Sequence, residues 1–250
     1  MHDQLRGAPA AVTAALDRLK DELTQAAGQN FAGLILYGGL ARGRYRPGKS
    51  DINVVVLLND ASAAALAAIA PALRTASRAV GIDPMLLTPA EVSRAAEAFP
   101  TKFLDIKNHH ITLAGSDPFT TLHVTREQVR LRVAQELLNL QLRLRHNYAG
   151  GGSDARLLTR TLARTVRTFA LELAALLQLA GKDVPRDDRS AIVFDAAIAA
   201  FGLAREPLDG LADLRQNGKT IGDVAVLFRG VLEAVARAVE IADELKESPR

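Results

Sequence analysis

Cysteine and tryptophan are absent from the 250 residues, and tyrosine and phenylalanine occur only three and eight times. Without cysteine the chain cannot form disulfide bonds, thiolate zinc sites or a cysteine nucleophile. The scarcity of aromatic side chains argues against binding single-stranded nucleic acid by base stacking. No apolar run approaches the roughly 18 residues that a membrane span needs, and the N-terminus shows no secretory signal. We therefore expect a cytoplasmic protein without a membrane partner.

Charge is nearly balanced over the whole chain but not along it. The formal net charge is +3, with 31 basic and 28 acidic residues. Residues 121–180 carry nine of the basic and four of the acidic residues, whereas residues 181–250 are net acidic. A basic middle favours a local anionic partner over a protein that coats nucleic acid. Nucleic acid is thus a possible but not a favoured partner.

The first part of the chain alternates patterns typical of helices and strands. Helices are predicted over residues 10–27, 62–80 and from Thr88, and short buried strands over 31–37, 51–58, 82–87 and 110–114. Because the helices and strands mix without a strict parallel repeat, we expect an α+β domain with a mixed sheet over residues 1–118. His109 and His110 would point to opposite faces of the last strand, so they are not predicted to share a metal.

Residues 119–250 show helical periodicity throughout and predict an all-α bundle for substrate binding or dimerisation. One predicted helix, 125–147, has leucines on two sides, which indicates either a central bundle helix or a homodimer contact. The helix after Asp154 carries a row of arginines on its polar face: Arg156, Arg160, Arg164 and Arg167. This row is either a solvent-exposed helix face or a cationic wall of an interdomain cleft.

The segment between the first two strands contains the residues with the clearest chemistry. A strand ends in Gly38-Gly39, where backbone amides can approach a phosphate without interference from side chains. The basic loop that follows matches a polyanion, and its cations are Arg42, Arg44, Arg46 and Lys49. Asp51 and Asn53, two residues apart on a strand, leave the same face of the sheet. Two oxygen ligands on one face, with phosphate oxygens in the other positions, suit Mg²⁺.

Gly38-Gly39, followed after 11 residues by Asp51-Ile52-Asn53, resembles the signature of the nucleotidyltransferase superfamily. That superfamily includes DNA polymerase beta, tRNA-terminal transferases and antibiotic nucleotidyltransferases. The pairs Arg42-Gly43 and Ser50-Asp51 also look like its short bacterial members. A mixed sheet followed by a helical domain is compatible with members whose C-terminal domain closes over the acceptor.

The resemblance implies specific roles for residues of this chain. Nucleotide would be held by Gly38, Gly39, Arg42, Lys49 and Ser50. The catalytic and Mg²⁺-binding set would be Asp51, Asn53 and, from the third strand, Asp83. A hydroxyl of a small molecule or protein would attack the α-phosphate of a nucleoside triphosphate, and pyrophosphate would leave.

Two positions depart from the superfamily's pattern. Gly39 stands where a serine is usual, and Asn53 stands where the second carboxylate is expected. A neutral amide weakens a site for Mg²⁺, which prefers carboxylate and water oxygens. The alternative is therefore a catalytically inactive nucleotide-binding or protein-binding scaffold, regulatory or antitoxin-like. A third alternative is a structural helical dimer module.

Overall fold

The computed structural model describes residues 8–47, 50–151, 154–185, 187, 189–218 and 222–246. The chain divides between Val124 and Thr125 into two compact units, which we call the sheet unit and the helical unit. The division lies after the boundary that we predicted at residue 118. Residues beyond 118 stay with the sheet unit because Phe119 and Leu122 are buried in its core.

The described residues of the sheet unit form one mixed, four-stranded sheet. Its strands are β1 (Phe31–Tyr37), β2 (Ile52–Leu58), β3 (Ile82–Leu87) and β4 (His110–Gly115). The strand order is β3-β2-β1-β4. β1 is antiparallel to both β2 and β4, whereas β2 and β3 are parallel. This arrangement confirms the predicted α+β class.

Five helices accompany this sheet in the described part of the unit. They are α1 (Ala10–Ala27), α2 (Gly38–Ala41), α3 (Ala63–Val80), α4 (Glu91–Ala98) and α5 (Pro100–Asn108). Ser62 caps α3, because its hydroxyl accepts a hydrogen bond from the Ala65 amide. Thr88 and Glu91 form half of the predicted capping box, with the Thr88 amide donating to the Glu91 carboxylate.

Alternate residues of the two central strands enter different cores. Even-numbered residues such as Leu36 and Val54 pack with α1 and α3. Odd-numbered residues such as Ile35 and Val55 pack with α4, α5 and the segment after β4. Both faces of the sheet are therefore covered, which explains why β1 and β2 are continuous apolar runs in the sequence.

Two helices of the sheet unit were not among the predicted elements. The short helix α2 begins at Gly38, so the two glycines are its first residues. Helix α5 is the second. Its start follows a simple rule, because Pro100 occupies the first helical position, where no amide hydrogen is needed.

The helical unit consists, in its described part, of five helices. They are α6 (Arg126–Gly151), α7 (Ala155–Leu179), α8 (Ser190–Phe201), α9 (Arg205–Asn217) and α10 (Val224–Glu244). Thr125 and Gln128 form a capping box at the start of α6. The Asp154 carboxylate caps α7 by accepting the amides of Arg156 and Leu157.

Helix α6 is apolar on two sides, but only one of them is buried within the chain. Val133, Leu137 and Leu140 are fully buried, whereas Leu131, Leu138 and Leu142 are 45–54% exposed. Of the two alternatives for α6, burial at the centre of the bundle does not hold within this chain, and a homodimer contact stays a prediction. Among the described residues, no helix is long and apolar enough to cross a bilayer.

The two phenylalanines at the start of α5 provide a direct test of the core. Phe103 is 1% exposed and Phe99 is 51% exposed. We expect Phe103→Ala to lower the free energy of unfolding by about 3–5 kcal/mol, because it leaves a cavity in the core. The matched change Phe99→Ala should alter it by less than about 0.5 kcal/mol. Urea denaturation measures both, and equal effects would contradict the assigned burial.

Glu172 on α7 makes the stability of the helical unit depend on pH. Burial and the neighbouring Glu136 carboxylate raise the pKa of Glu172 to about 7, and Arg132 opposes the shift. Because the folded chain holds this proton more tightly than the unfolded chain does, stability should fall as pH rises from about 4.5 to 7. Glu172→Gln should abolish that fall.

At about pH 8 we expect Glu172→Gln to raise the unfolding free energy by roughly 1–3 kcal/mol. Glu233, an exposed residue of α10, supplies the matched control Glu233→Gln. Denaturation at a series of pH values measures the difference. If the unfolding free energies of the parent and the Glu172→Gln protein depend on pH in the same way, the raised pKa of Glu172 is refuted.

Candidate functional site

Gly38 and Asn53 pack against each other where β1 ends. Gly38 has φ +75°, in the left-handed region that favours glycine. A Cβ atom placed on it would lie 2.9 Å from the side-chain nitrogen of Asn53. Gly39 is different, since a Cβ there would meet only the Arg44 carbonyl oxygen at 3.9 Å. The first glycine is thus required by its backbone and its neighbour, and the second is not.

Four polar residues form one row across the sheet at this end. Tyr37 on β1 pairs with Asn53 on β2 and with His110 on β4. Asn53 in turn pairs with Asp83 on β3. Paired residues on neighbouring strands share a face and lie about 5 Å apart. The row Asp83–Asn53–Tyr37–His110 therefore runs along the sheet face that α4 and α5 cover.

Asp51 lies immediately before β2 and is exposed. It is two residues from Asn53, about 7 Å along an extended chain. Ser50 closes the end of the basic loop, because its amide donates to the Arg46 carbonyl and its hydroxyl accepts from the Arg46 amide. Lys49 lies outside the described residues. Strand pairing thus brings Asn53 and Asp83 to one face of the sheet, with Asp51 two residues before Asn53.

Arg42 follows α2 and is bound by an acidic residue of α5. Its guanidinium forms an ion pair with the Asp105 carboxylate. The second oxygen of Asp105 lies 3.4 Å from Nδ1 of His109. The Arg42 Nε is buried and has no hydrogen-bond partner among the described residues. Because a buried donor without an acceptor is costly, Arg42 is a cation whose hydrogen bonding is incomplete without a further acceptor.

Tyr37 connects the row to α5. The Nζ atom of Lys102 lies 5.7 Å from the centroid of the Tyr37 ring. Burial raises the pKa of Tyr37 to about 12, and the negative charge of Asp83 contributes. Tyr37 is therefore a neutral phenol at pH 7, and its hydroxyl group interacts electrostatically with the Asp83 carboxylate.

His110 has a structural role at the far end of the row. Its Nδ1 lies 2.8 Å from the Ile106 carbonyl oxygen and its Nε2 lies 2.9 Å from an Asp117 carboxylate oxygen. Burial raises the pKa of Asp117, but hydrogen bonds from His110, Thr120 and the Phe119 amide outweigh it and hold the pKa at about 2. Both ring nitrogens are occupied, so His110 is not free to bind a metal.

The helical unit presents its own basic surface. The arginines of α7 that we singled out, Arg156, Arg160, Arg164 and Arg167, are all exposed. Arg156 and Arg160 line a groove of about 390 Å³ together with Leu214 of α9. A role for this row in an interdomain cleft stays a prediction.

Comparison with known proteins gives one kind of match. No protein-family profile matches the chain, and no curated protein matches its sequence. Among solved structures, the chain is similar to spectinomycin adenyltransferase AAD(9) from Enterococcus faecialis, a structure determined with ATP and spectinomycin. The TM-score is 0.51 at 13% sequence identity, over 94% of this chain and 99% of that one.

The chain has the nucleotidyltransferase fold. The resemblance first drawn from Gly38-Gly39 and Asp51-Ile52-Asn53 is thereby confirmed at the level of the fold. The match extends over nearly the whole of both chains, so it includes the helical part as well as the sheet.

On this nucleotidyltransferase fold, α5 brings polar residues to the site that the sequence did not reveal. Lys102 and Asp105 are three residues apart, which places them on one side of the helix, and His109 follows its last residue. Phe103 and Ile106 occupy the buried side. The signal was present as helical periodicity after Pro100, but the segment is only nine residues long.

The donor set of this candidate site fits an oxygen-bound cation. Asp51 and Asp83 can supply carboxylates, and Asn53, which pairs with Asp83, can supply an amide oxygen. In the described part of the chain, no group of three or more histidine, cysteine, aspartate or glutamate side chains is placed to hold a metal. A cation here would therefore rely on two carboxylates and a neutral ligand, a weaker set than three carboxylates.

The two glycines offer a matched pair of substitutions. Gly38→Ala should lower the free energy of unfolding by about 1–2 kcal/mol or more, because alanine is strained at positive φ and its Cβ meets Asn53. Gly39→Ala should change it by no more than about 0.5 kcal/mol. Thermal or urea denaturation compares them. A harmless Gly38→Ala would show that Asn53 does not pack beneath this turn.

Proposed function

We propose that the protein is a nucleotidyltransferase that transfers a nucleoside monophosphate from a nucleoside triphosphate to a hydroxyl group of a small molecule. The observation that carries the proposal is the pairing of Asn53 with Asp83 beside the Gly38 turn, with Asp51 two residues before Asn53. The similar structure was solved with ATP and an antibiotic, which supports ATP as donor and a small molecule as acceptor.

In the proposed reaction the acceptor hydroxyl oxygen attacks the α-phosphorus. The bond from that phosphorus to the bridging oxygen breaks, pyrophosphate leaves with the electron pair, and the hydroxyl proton passes to solvent. The backbone amides of Gly38 and Gly39 and the guanidinium of Arg42 would bind phosphate oxygens, with Ser50 and Lys49 at the end of the loop. Arg42 would gain the acceptor that its buried Nε lacks.

Asp51, Asn53 and Asp83 would hold Mg²⁺. The ion would neutralise phosphate charge and favour departure of pyrophosphate. The carboxylates of Asp51 and Asp83 supply the negative charge, and Asn53 is held in place by its contact with Gly38. We assign the sheet unit, which extends to Val124, to the nucleotidyltransferase-like domain and the helical unit from Thr125 to a domain for the acceptor.

A second candidate is a catalytically inactive nucleotide-binding or protein-binding scaffold. Two observations favour it. Asn53 brings no charge to the metal site, and the guanidinium of Arg42 is already engaged by Asp105. A regulatory or antitoxin-like role would need the fold and the loop but not a strong metal site.

Calorimetric titration separates these functions. We expect ATP to bind more tightly in Mg²⁺ than in EDTA. Asn53→Asp should increase the ratio of these two affinities by roughly tenfold, because it adds a carboxylate on β2 to the proposed metal ligands. Glu97→Gln, on an exposed residue of α4, serves as the control.

Incubation with labelled ATP and a panel of aminoglycoside-like and other polyhydroxylated acceptors then tests transfer, with release of pyrophosphate as the readout. Binding of ATP that is indifferent to Mg²⁺ and to Asn53→Asp, without any pyrophosphate release, would support the inactive scaffold. Absence of nucleotide binding under every condition would contradict both the nucleotidyltransferase and the nucleotide-binding scaffold.

A further inference from the structure

Helix α5 brings a lysine to the sheet face that carries the candidate site. Lys102 is exposed, and its Nζ atom lies 5.7 Å from the centroid of the Tyr37 ring. Tyr37 pairs directly with Asn53, which pairs with Asp83. Because neighbouring strands are about 5 Å apart, the ammonium lies within one or two strand spacings of the proposed phosphate site.

Lys102 differs from Arg42 and Lys107 in having no ion pair or hydrogen bond among the described residues. Arg42 is ion-paired with Asp105, and Lys107 donates to the Leu122 carbonyl oxygen. Within the described residues, Lys102 has no carboxylate partner, and its one close contact is with the face of the Tyr37 ring. A cation–π contact orients an ammonium but leaves its hydrogen-bond donors available. Lys102 can therefore donate to an anion without first breaking an ion pair.

The charge of the site explains why such a cation would be needed. With Asn53 in place of a carboxylate, the site has only Asp51 and Asp83 to attract a divalent cation. A weaker metal site neutralises less of the charge on a triphosphate chain, so a fixed positive side chain contributes more to binding. Tyr37, kept neutral by its raised pKa, adds no competing anion beside the ammonium.

We propose that Lys102 is a nucleotide-binding residue whose ammonium group binds the phosphate chain. Its positive charge would replace part of the charge that a more strongly bound metal ion would supply, because Asn53 weakens the metal site. This rests on the proposed function, because it presupposes a nucleotide at the site. If Lys102 has this role, a large part of the nucleotide affinity should not depend on metal. That part would come from a residue of α5, which lies outside both the glycine loop and the strands.

Binding of ATP and of inorganic tripolyphosphate, each measured by calorimetry in EDTA and in Mg²⁺, tests the proposal on the full chain. In EDTA, Lys102→Met should weaken binding of both probes by about ten- to a hundredfold, the range for one lost hydrogen bond to a charged group. Lys102→Arg should restore most of the affinity. In Mg²⁺ the loss should be smaller, because the ion takes over part of the neutralisation.

Lys20→Met is the matched control, since Lys20 lies on α1, which packs on the opposite face of the sheet. It should leave both affinities unchanged. Thermal denaturation of each variant shows whether it is folded, and Lys102→Arg provides a second folded comparison.

The outcomes separate the two levels of inference. If the parent protein binds ATP and Lys102→Met binds it equally well in EDTA, the role of Lys102 is overturned while the proposed function stands. If Lys102→Met weakens ATP but not tripolyphosphate, Lys102 contacts the nucleoside and the phosphate assignment is wrong. If the parent binds neither probe with or without Mg²⁺, the proposed function and the role of Lys102 fail together.

Discussion

Burial of both faces of β1 and β2 is the constraint on which the sheet unit depends. Each central strand must send successive side chains into different cores, one covered by α1 and α3 and the other by α4 and α5. A shift of one residue in register would exchange the two sets of side chains, so the pairing of Tyr37 with Asn53 is strongly specified. The polar row is thus fixed by apolar packing elsewhere in the same strands.

The electrostatics of the site follow from which helix lies over that row. Helix α5 presents its apolar side, with Phe103 and Ile106, to the core and its polar side to the end of β1. One acidic residue of this helix, Asp105, keeps Arg42 close to the glycine turn. The neighbouring Lys102 stays uncommitted, so the same helix both fixes one cation and offers another. Packing and charge are therefore coupled through a single short helix.

Much of the fold could be predicted from the sequence because its signals are local. The bounds predicted for α1, β1 and β3 agree with the structure, since each ends at glycine, proline or a polar cluster. Gly38 and Asn53 belong to one sequence motif, and Asp83 lies in a predicted strand, so their proximity could also be anticipated. Whether those residues act as proposed is a separate question that the fold does not answer.

What could not be predicted depends on contacts between distant segments. The approach of Asp105 to Arg42 and of Lys102 to Tyr37 requires the path of the chain through β3 and α4, which no local pattern specifies. For a related reason the sequence left two alternatives for the side of α6 that carries Leu138 and Leu142, which is exposed within the chain. A helix with two apolar sides shows how much surface could be buried, but not which side finds neighbours.

The strand order has a consequence for how the chain assembles. β1 can pair with β2 after a short loop, but its other edge pairs with β4, which is synthesised only after β2, α3, β3, α4 and α5. Contacts so distant in sequence close slowly, whereas neighbouring helices such as α6 and α7 form from local contacts. Until β4 (His110–Gly115) has been synthesised, β1 is an apolar strand with one unpaired edge. That edge leaves β1 open to intermolecular pairing during synthesis.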